Sequence, residues 1–169
     1  MYRAPIASGS FYPGNKEELE SVLKTLMEGC PERQKALGVI SPHAGYVYSG
    51  RVMGSVFARI EIPGTVIILA PNHTGRGKPF SVWSEGLWRT PLGDTSIDEE
   101  LVNEILNRCE LIEKDKAARK SEHSAEVMLP FLQYKNPQVK IDVIVVRSGN
   151  FENLSIIGKS IGEILKKMR

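Results

Sequence analysis

The chain has 169 residues with 22 basic and 20 acidic side chains, a formal charge of +2, and this length suits one hydrophobic core. Apolar residues make up 41% and charged residues 25%, a balance that excludes general disorder. No Lys/Arg stripe gathers the charge, so nucleic acid is not the favoured partner, and no run of about 18 apolar residues offers a membrane span.

The start, Met1 to Pro5, lacks the apolar stretch of a signal peptide, so the expected setting is the cytoplasm. Cys30 and Cys109 stand apart without CxxC spacing, which points to neither a disulfide framework nor a thiolate zinc site.

In chain order, Asn15-x-x-Glu18 reads as a capping box, followed by Leu19, Val22, Leu23, Leu26 and Met27 at helical spacing up to Gly29. Leu37 to Ser41 is a short apolar run ending at Pro42, the pattern of a strand buried on both faces. After the loop Pro42 to Tyr48, Ser49 is placed to cap a helix lined by Val52, Met53, Val56, Phe57 and Ile60, which Pro63-Gly64 terminates. Thr65 to Ala70 is the most strand-like segment, β-branched and running into Pro71. Two such strands joined by a helix predict a parallel βαβ unit with a right-handed crossover.

Phe80 to Trp83 reads as a further strand and Thr90 to Gly93 as a turn. Ser96-x-x-Glu99 reads as a second capping box, leading Leu101, Val102, Ile105, Leu106 and Cys109 along a helix. A polar linker, Glu113 to Lys120, precedes a short helix from Glu122 to Leu132 that Pro130 should kink or end. Ile141 to Val146 completes the strands and Leu154 to Met168 is an amphipathic helix. The expected fold is α/β: one domain over 1–169, with a mostly parallel sheet between helical layers.

Three histidines carry the chemistry. His43 and His73 each follow a predicted buried strand by about three residues, where open α/β sheets hold their ligand loops. As a pair they point to a metal site. Two imidazoles plus a carboxylate suit non-haem Fe(II), whereas zinc usually takes a third or fourth N or S ligand. His123 and Glu126 are three apart, so they share a helix face; a third ligand, a general base and a plain helix start all remain open for His123. The HExxH, P-loop and GxGxxG patterns are absent. Gly75-Arg76-Gly77-Lys78 reads first as an exposed loop and second as an anion cradle. Tyr46 and Tyr48 either wall a pocket or pack on the sheet.

Five segments in register, Gly9 to Pro13, Pro42 to Gly50, Pro71 to Thr74, Thr90 to Gly93 and Glu122 to Glu126 with Leu129 to Leu132, resemble the Memo family, which in prokaryotes includes the AmmeMemoRadiSam system protein B. The resemblance implies a fold similar to class III extradiol dioxygenases, with His43 and His73 as ligands of non-haem iron or copper and zinc less favoured. It puts His123 in the same pocket as catalytic residue, with Tyr46, Asn72, Glu122 and Ser124 on the substrate side. The implied function is a metal-binding redox or oxygenase-like domain; the alternative is a non-catalytic module that binds a peptide or small molecule in the same crevice. The family pattern continues beyond the last predicted helix with a strand, a Ser-Asp-Phe-x-x-His motif and a Cys-Gly segment not found here. A truncated form, completed by a second chain or by homo-oligomerisation, is the expectation that follows.

Overall fold

The computed structural model describes residues 2–29, 33–115 and 122–167. Cys30, Met168 and the 116–120 part of the expected linker lie outside the described residues. The elements are β1 (Tyr2–Arg3), α1 (Lys16–Leu26), α2 (Tyr46–Ala58), β2 (Thr65–Pro71), β3 (Phe80–Val82), β4 (Leu87–Thr90), β5 (Gly93–Ser96), α3 (Glu99–Arg108), β6 (Glu113–Lys114), α4 (Ser124–Lys135), β7 (Lys140–Val146) and α5 (Phe151–Lys167). The chain is therefore mixed α/β. It divides into two compact units, the first built from residues 1–66, 86–96 and 123–140, the second from 67–85, 97–122 and 141–169.

In the first unit, α1, α2 and α4 pack on one another beside a three-stranded sheet of order β1-β4-β5. Asn15 caps α1 as its sequence demands: Oδ1 accepts the Glu18 amide at 2.8 Å and Nδ2 donates to Glu18 Oε2 at 3.0 Å. Leu19 and Leu23, one turn apart, are fully buried. They share the core with Met53, Phe57 and Phe131, and the Phe57 and Phe131 rings stack at 5.5 Å. At the far end of α2, Lys135 Nζ donates to the carbonyls of Phe57, Ala58 and Ile60. A cation on orphan carbonyls at a helix C-terminus opposes the dipole there.

The second unit holds a four-stranded sheet of order β2-β7-β3-β6 together with α3 and α5, which pack on each other. β3 runs antiparallel to β7, with Phe80 opposite Val146, and parallel to β6. Ile141, Val143, Ile144 and Val145 of β7 are buried, with the buried Asp142 among them, the pattern of a strand covered on both faces. Ile105 and Ile164 fill the space between the helices, while Arg108 bridges Glu104 and Glu163 at their rim.

Several expectations need correction. The single mostly parallel sheet is replaced, among the described residues, by two sheets of mixed direction. Leu37 to Ser41 lies outside every strand, with Leu37 75% and Ile40 96% exposed, so the first strand of the predicted βαβ unit is missing. An apolar run becomes a strand only where a neighbouring edge takes its amides, and among the described residues none of the strands does so.

α2 begins at Tyr46, not after Ser49: Gly45 takes the N-cap position and Phe11 O accepts the Tyr46 amide at 2.7 Å. Asp98, not Ser96, caps α3, while Ser96 is consumed by β5. Pro130 does not end α4, which runs on to Lys135; burial of Leu129, Pro130, Phe131 and Leu132 outweighs one lost backbone bond. The Thr90–Gly93 turn is present, and closes the β4-β5 hairpin that the sequence reading passed over. No described helix is long and apolar enough to cross a membrane.

Candidate functional site

The site is assembled around the turn at residues 7–12. Gly9, at φ 79°, allows the tight turn in which its amide donates to Tyr12 O at 2.8 Å and the Phe11 amide donates to Ala7 O at 2.8 Å. The turn faces the start of α2 on one side, through Phe11 O and the Tyr46 amide. On the other side the Phe11 ring lies 4.8 Å from the imidazole of His123, tilted by 50°. His43, in the loop before α2, then sits with its ring 6.3 Å from that of His123. Both histidines and Phe11 are half-buried.

His123 occupies the N-cap position of α4, yet its side chain makes no capping bond. The capped helix start, one of the three readings that the sequence leaves open, is therefore not made by this side chain. The 6.3 Å spacing discriminates further. Ring nitrogens lie roughly 1.1 Å from the centroid and metal–nitrogen bonds are about 2.0–2.1 Å, so two imidazoles on one tetrahedral ion stand about 5.2 Å apart. The observed spacing is wider, and suits an ion held by His43 with His123 beside it, or a water or carboxylate oxygen between the two rings.

Glu126, one turn further along α4, is not available to a ligand at the histidines. Its carboxylate is fully buried and accepts hydrogen bonds from Arg3 Nη1 at 2.6 Å, Tyr12 Oη at 2.8 Å and the Ala7 amide at 2.8 Å, with the Ile6 amide at 3.0 Å from both oxygens. Arg3 also lies over the Trp88 ring, 4.2 Å from its centroid. Glu126 thus anchors the N-terminal segment that delivers Phe11 to the site. Burial, and next the Glu126 charge, push the Tyr12 phenol far above its ordinary range. Nothing local in the sequence signals this anchor, because its partners lie more than a hundred residues away.

Tyr46 turns inward: its hydroxyl donates to Val127 O at 3.0 Å and only 7% of the residue is exposed. Burial raises its pKa well above the phenol value, with Tyr12 adding to the shift. It backs the site from the core, whereas Tyr48 is 88% exposed. Ser124, in the first unit, and Glu122, in the second, are both fully buried.

In the second unit His73 is exposed just past the end of β2. Asn72 shapes its loop, with Oδ1 accepting from the Thr74 amide, Thr74 Oγ1 and the Gly75 amide while Nδ2 donates to Arg76 O. Arg147 braces the glycines by donating to Gly75 O at 3.3 Å and Gly77 O at 2.8 Å. A loop whose carbonyls point at a guanidinium is a poor anion cradle. Among the described residues, no three His, Cys, Asp or Glu side chains come together as a ready-made metal centre.

Comparison with known proteins agrees with the motifs. A family model described as Memo-like protein matches residues 3–169. A MEMO1 family protein of Aquifex aeolicus is 45% identical over 167 residues, 98% of this chain and 62% of its own length. One from Sulfurisphaera tokodaii is 39% identical over 185 residues, 100% of this chain and 65% of its own. Another, from Methanocaldococcus jannaschii, is 37% identical over 185 residues, 98% and 64%. The chain thus spans less than two thirds of the length of these relatives. With both the model and the relatives matching almost every residue of it, this chain belongs to the Memo family.

Proposed function

We propose that the chain is the histidine-bearing part of a cytoplasmic, metal-dependent redox or oxygenase-like domain, related in fold to class III extradiol dioxygenases. His43 and His73 would hold iron or copper as neutral imidazoles, in keeping with the donor chemistry of both residues. The observation that carries the reading is the half-buried His43–His123 pair at 6.3 Å, walled by Phe11. When bound, such an ion supplies one-electron chemistry and Lewis acidity.

The protein's own residues do the rest. His123, one ring away, accepts or returns a proton on a substrate beside His43. Phe11 limits water at that edge and holds the His123 ring by a tilted ring contact. Glu126 and Tyr12 fix the turn that carries Phe11.

A second reading, a non-catalytic module for a small acid or peptide, draws on the fact that the His43–His123 spacing also accepts a carboxylate oxygen between two imidazoles. Metal analysis after anaerobic purification separates the two. The first predicts near-stoichiometric iron or copper, lost in both His43→Ala and His73→Ala and kept in His123→Ala. A metal-free wild type that binds acetate or a carboxylate peptide supports the second. Bound zinc with hydrolysis of model esters overturns both.

A further inference from the structure

The core of the first unit holds two tyrosines whose hydroxyls the proposed chemistry leaves unused. Tyr12 and Tyr46 are 3% and 7% exposed, and their rings lie 5.6 Å apart at a tilt of 36°. Both stand close in sequence to the imidazole pair. Tyr46 follows His43 by three residues, while Tyr12 follows Phe11, whose ring touches that of His123. The Tyr46 amide also donates to Phe11 O at 2.7 Å. The two phenols differ in what accepts their protons. Tyr46 donates to a backbone carbonyl, Val127 O at 3.0 Å, whereas Tyr12 donates to a carboxylate, Glu126 Oε1 at 2.8 Å.

We propose that Tyr12 is a redox-active tyrosine, which gives an electron to a one-electron oxidant on the His43 side of the unit and its phenolic proton to Glu126. The oxidant gains the electron, the O–H bond of Tyr12 breaks and an O–H bond forms on Glu126 Oε1. A neutral phenoxyl radical is left beside a neutral carboxyl. Closed to a substrate, Glu126 still serves Tyr12 as a base: a phenol that has lost an electron is a far stronger acid than a carboxylic acid, so the proton crosses even to a carboxylate shared with Arg3. Burial holds the resting phenol in its protonated form, and electron loss without proton loss would strand a positive charge in the core. Tyr46 can pass the electron on but cannot hold the hole, because its carbonyl partner is a far weaker base than a carboxylate. The neighbouring rings offer no better place for it. Phe131, 5.0 Å from Tyr46, has no hydroxyl, and Trp88 lies under the Arg3 guanidinium at 4.2 Å, a cation that opposes positive charge on the indole. In the protein the oxidant would be an iron or copper ion in its oxidised state at His43, a role that rests on the redox reading above, whereas the property of Tyr12 does not.

The test supplies the oxidant from outside and needs no bound metal. Tyr2→Phe, Tyr48→Phe and Tyr134→Phe, all at exposed positions, leave Tyr12 and Tyr46 as the only tyrosines of the chain. Illumination with ruthenium(II) tris-bipyridine and a cobalt(III) pentaammine acceptor, followed by freezing, should trap a tyrosyl radical visible by electron paramagnetic resonance. Adding Tyr46→Phe should keep that signal, and ring-deuterated tyrosine should then narrow it, which assigns the radical with Tyr12 itself untouched. Adding Tyr12→Phe instead should cut the trapped radical at least about tenfold, since the carbonyl partner of Tyr46 does not take its proton. The infrared difference spectrum should gain a protonated carboxyl band together with the radical. Absence of a trapped radical in the chain that keeps Tyr12 overturns the inference, as does an equal signal after Tyr12→Phe, or a radical without the carboxyl band. A wild type free of metal would remove the protein's own oxidant and leave this radical unchanged, so the two failures are distinguishable.

Discussion

Replacing Glu126 by alanine is expected to destabilise the first unit by about 3–5 kcal/mol, the range seen when one partner of a buried ion pair is removed. The carboxylate is fully buried and serves Arg3, Tyr12 and the amides of Ile6 and Ala7 at once. Alanine leaves the Arg3 guanidinium, itself 6% exposed, without that carboxylate. It also strips both amides and the Tyr12 hydroxyl of their acceptor, each a desolvated group with a cost of its own. Urea unfolding followed by tryptophan emission measures the loss, because Trp88 lies under Arg3. Glu126→Gln keeps an acceptor and should cost roughly half as much. Adding Arg3→Met to Glu126→Gln should cost less than the sum of the two single changes, as coupled partners do. Additivity there would contradict the anchor role.

Gly54→Ala should lower stability by about 2 kcal/mol or more, although alanine is the better helix former by about 1 kcal/mol. A Cβ at Gly54 would meet the Leu26 carbonyl oxygen at less than contact distance and stand 2.6 Å from its carbonyl carbon. Both are backbone atoms at the end of α1, so relief requires the two helices to separate. Gly158 and Gly162 in α5 provide the contrast, since a Cβ there meets nothing within 4 Å. Gly158→Ala and Gly162→Ala should each stabilise by about 0.5–1 kcal/mol. Thermal unfolding of the three variants gives the comparison, and equal signs would overturn the close α1–α2 approach.

Elements specified by near neighbours were legible in the sequence. The Asn15 cap, the Leu19–Leu23 spacing and the extended conformation of β2 and β7 are each stated locally and are found, although β2, read as a buried strand, leaves Leu69 56% exposed. Elements decided by distant partners were not. The start of α2 depends on Phe11 O, thirty-five residues before Tyr46, and the length of α4 past Pro130 depends on how much of it is buried. Residues 37–41 read as a strand because their side chains suit one, but a strand also needs a partner that no pattern within the segment can supply.

At the site, the spacing after apolar runs marked His43 and His73, whereas the ring found beside His43 is that of His123, which only the family resemblance put in the same pocket; His73 belongs to the second unit. Glu126 shares the helix with His123 and looked equally available, yet its partners at Arg3, Ile6, Ala7 and Tyr12 take it out of the site. Charge and spacing mark a carboxylate; only packing reveals whether it is spent.

A paramagnetic titration addresses the metal reading most directly. Cobalt(II), added anaerobically to protein labelled with nitrogen-15 in its histidines, should broaden or shift the imidazole signals of His43 and His73 together, saturating at one ion per chain, with His123 affected to a lesser degree. Broadening confined to the exposed His73, or growing without saturation as cobalt is added, would contradict a shared ion and leave His43 and His123 as a metal-free pair.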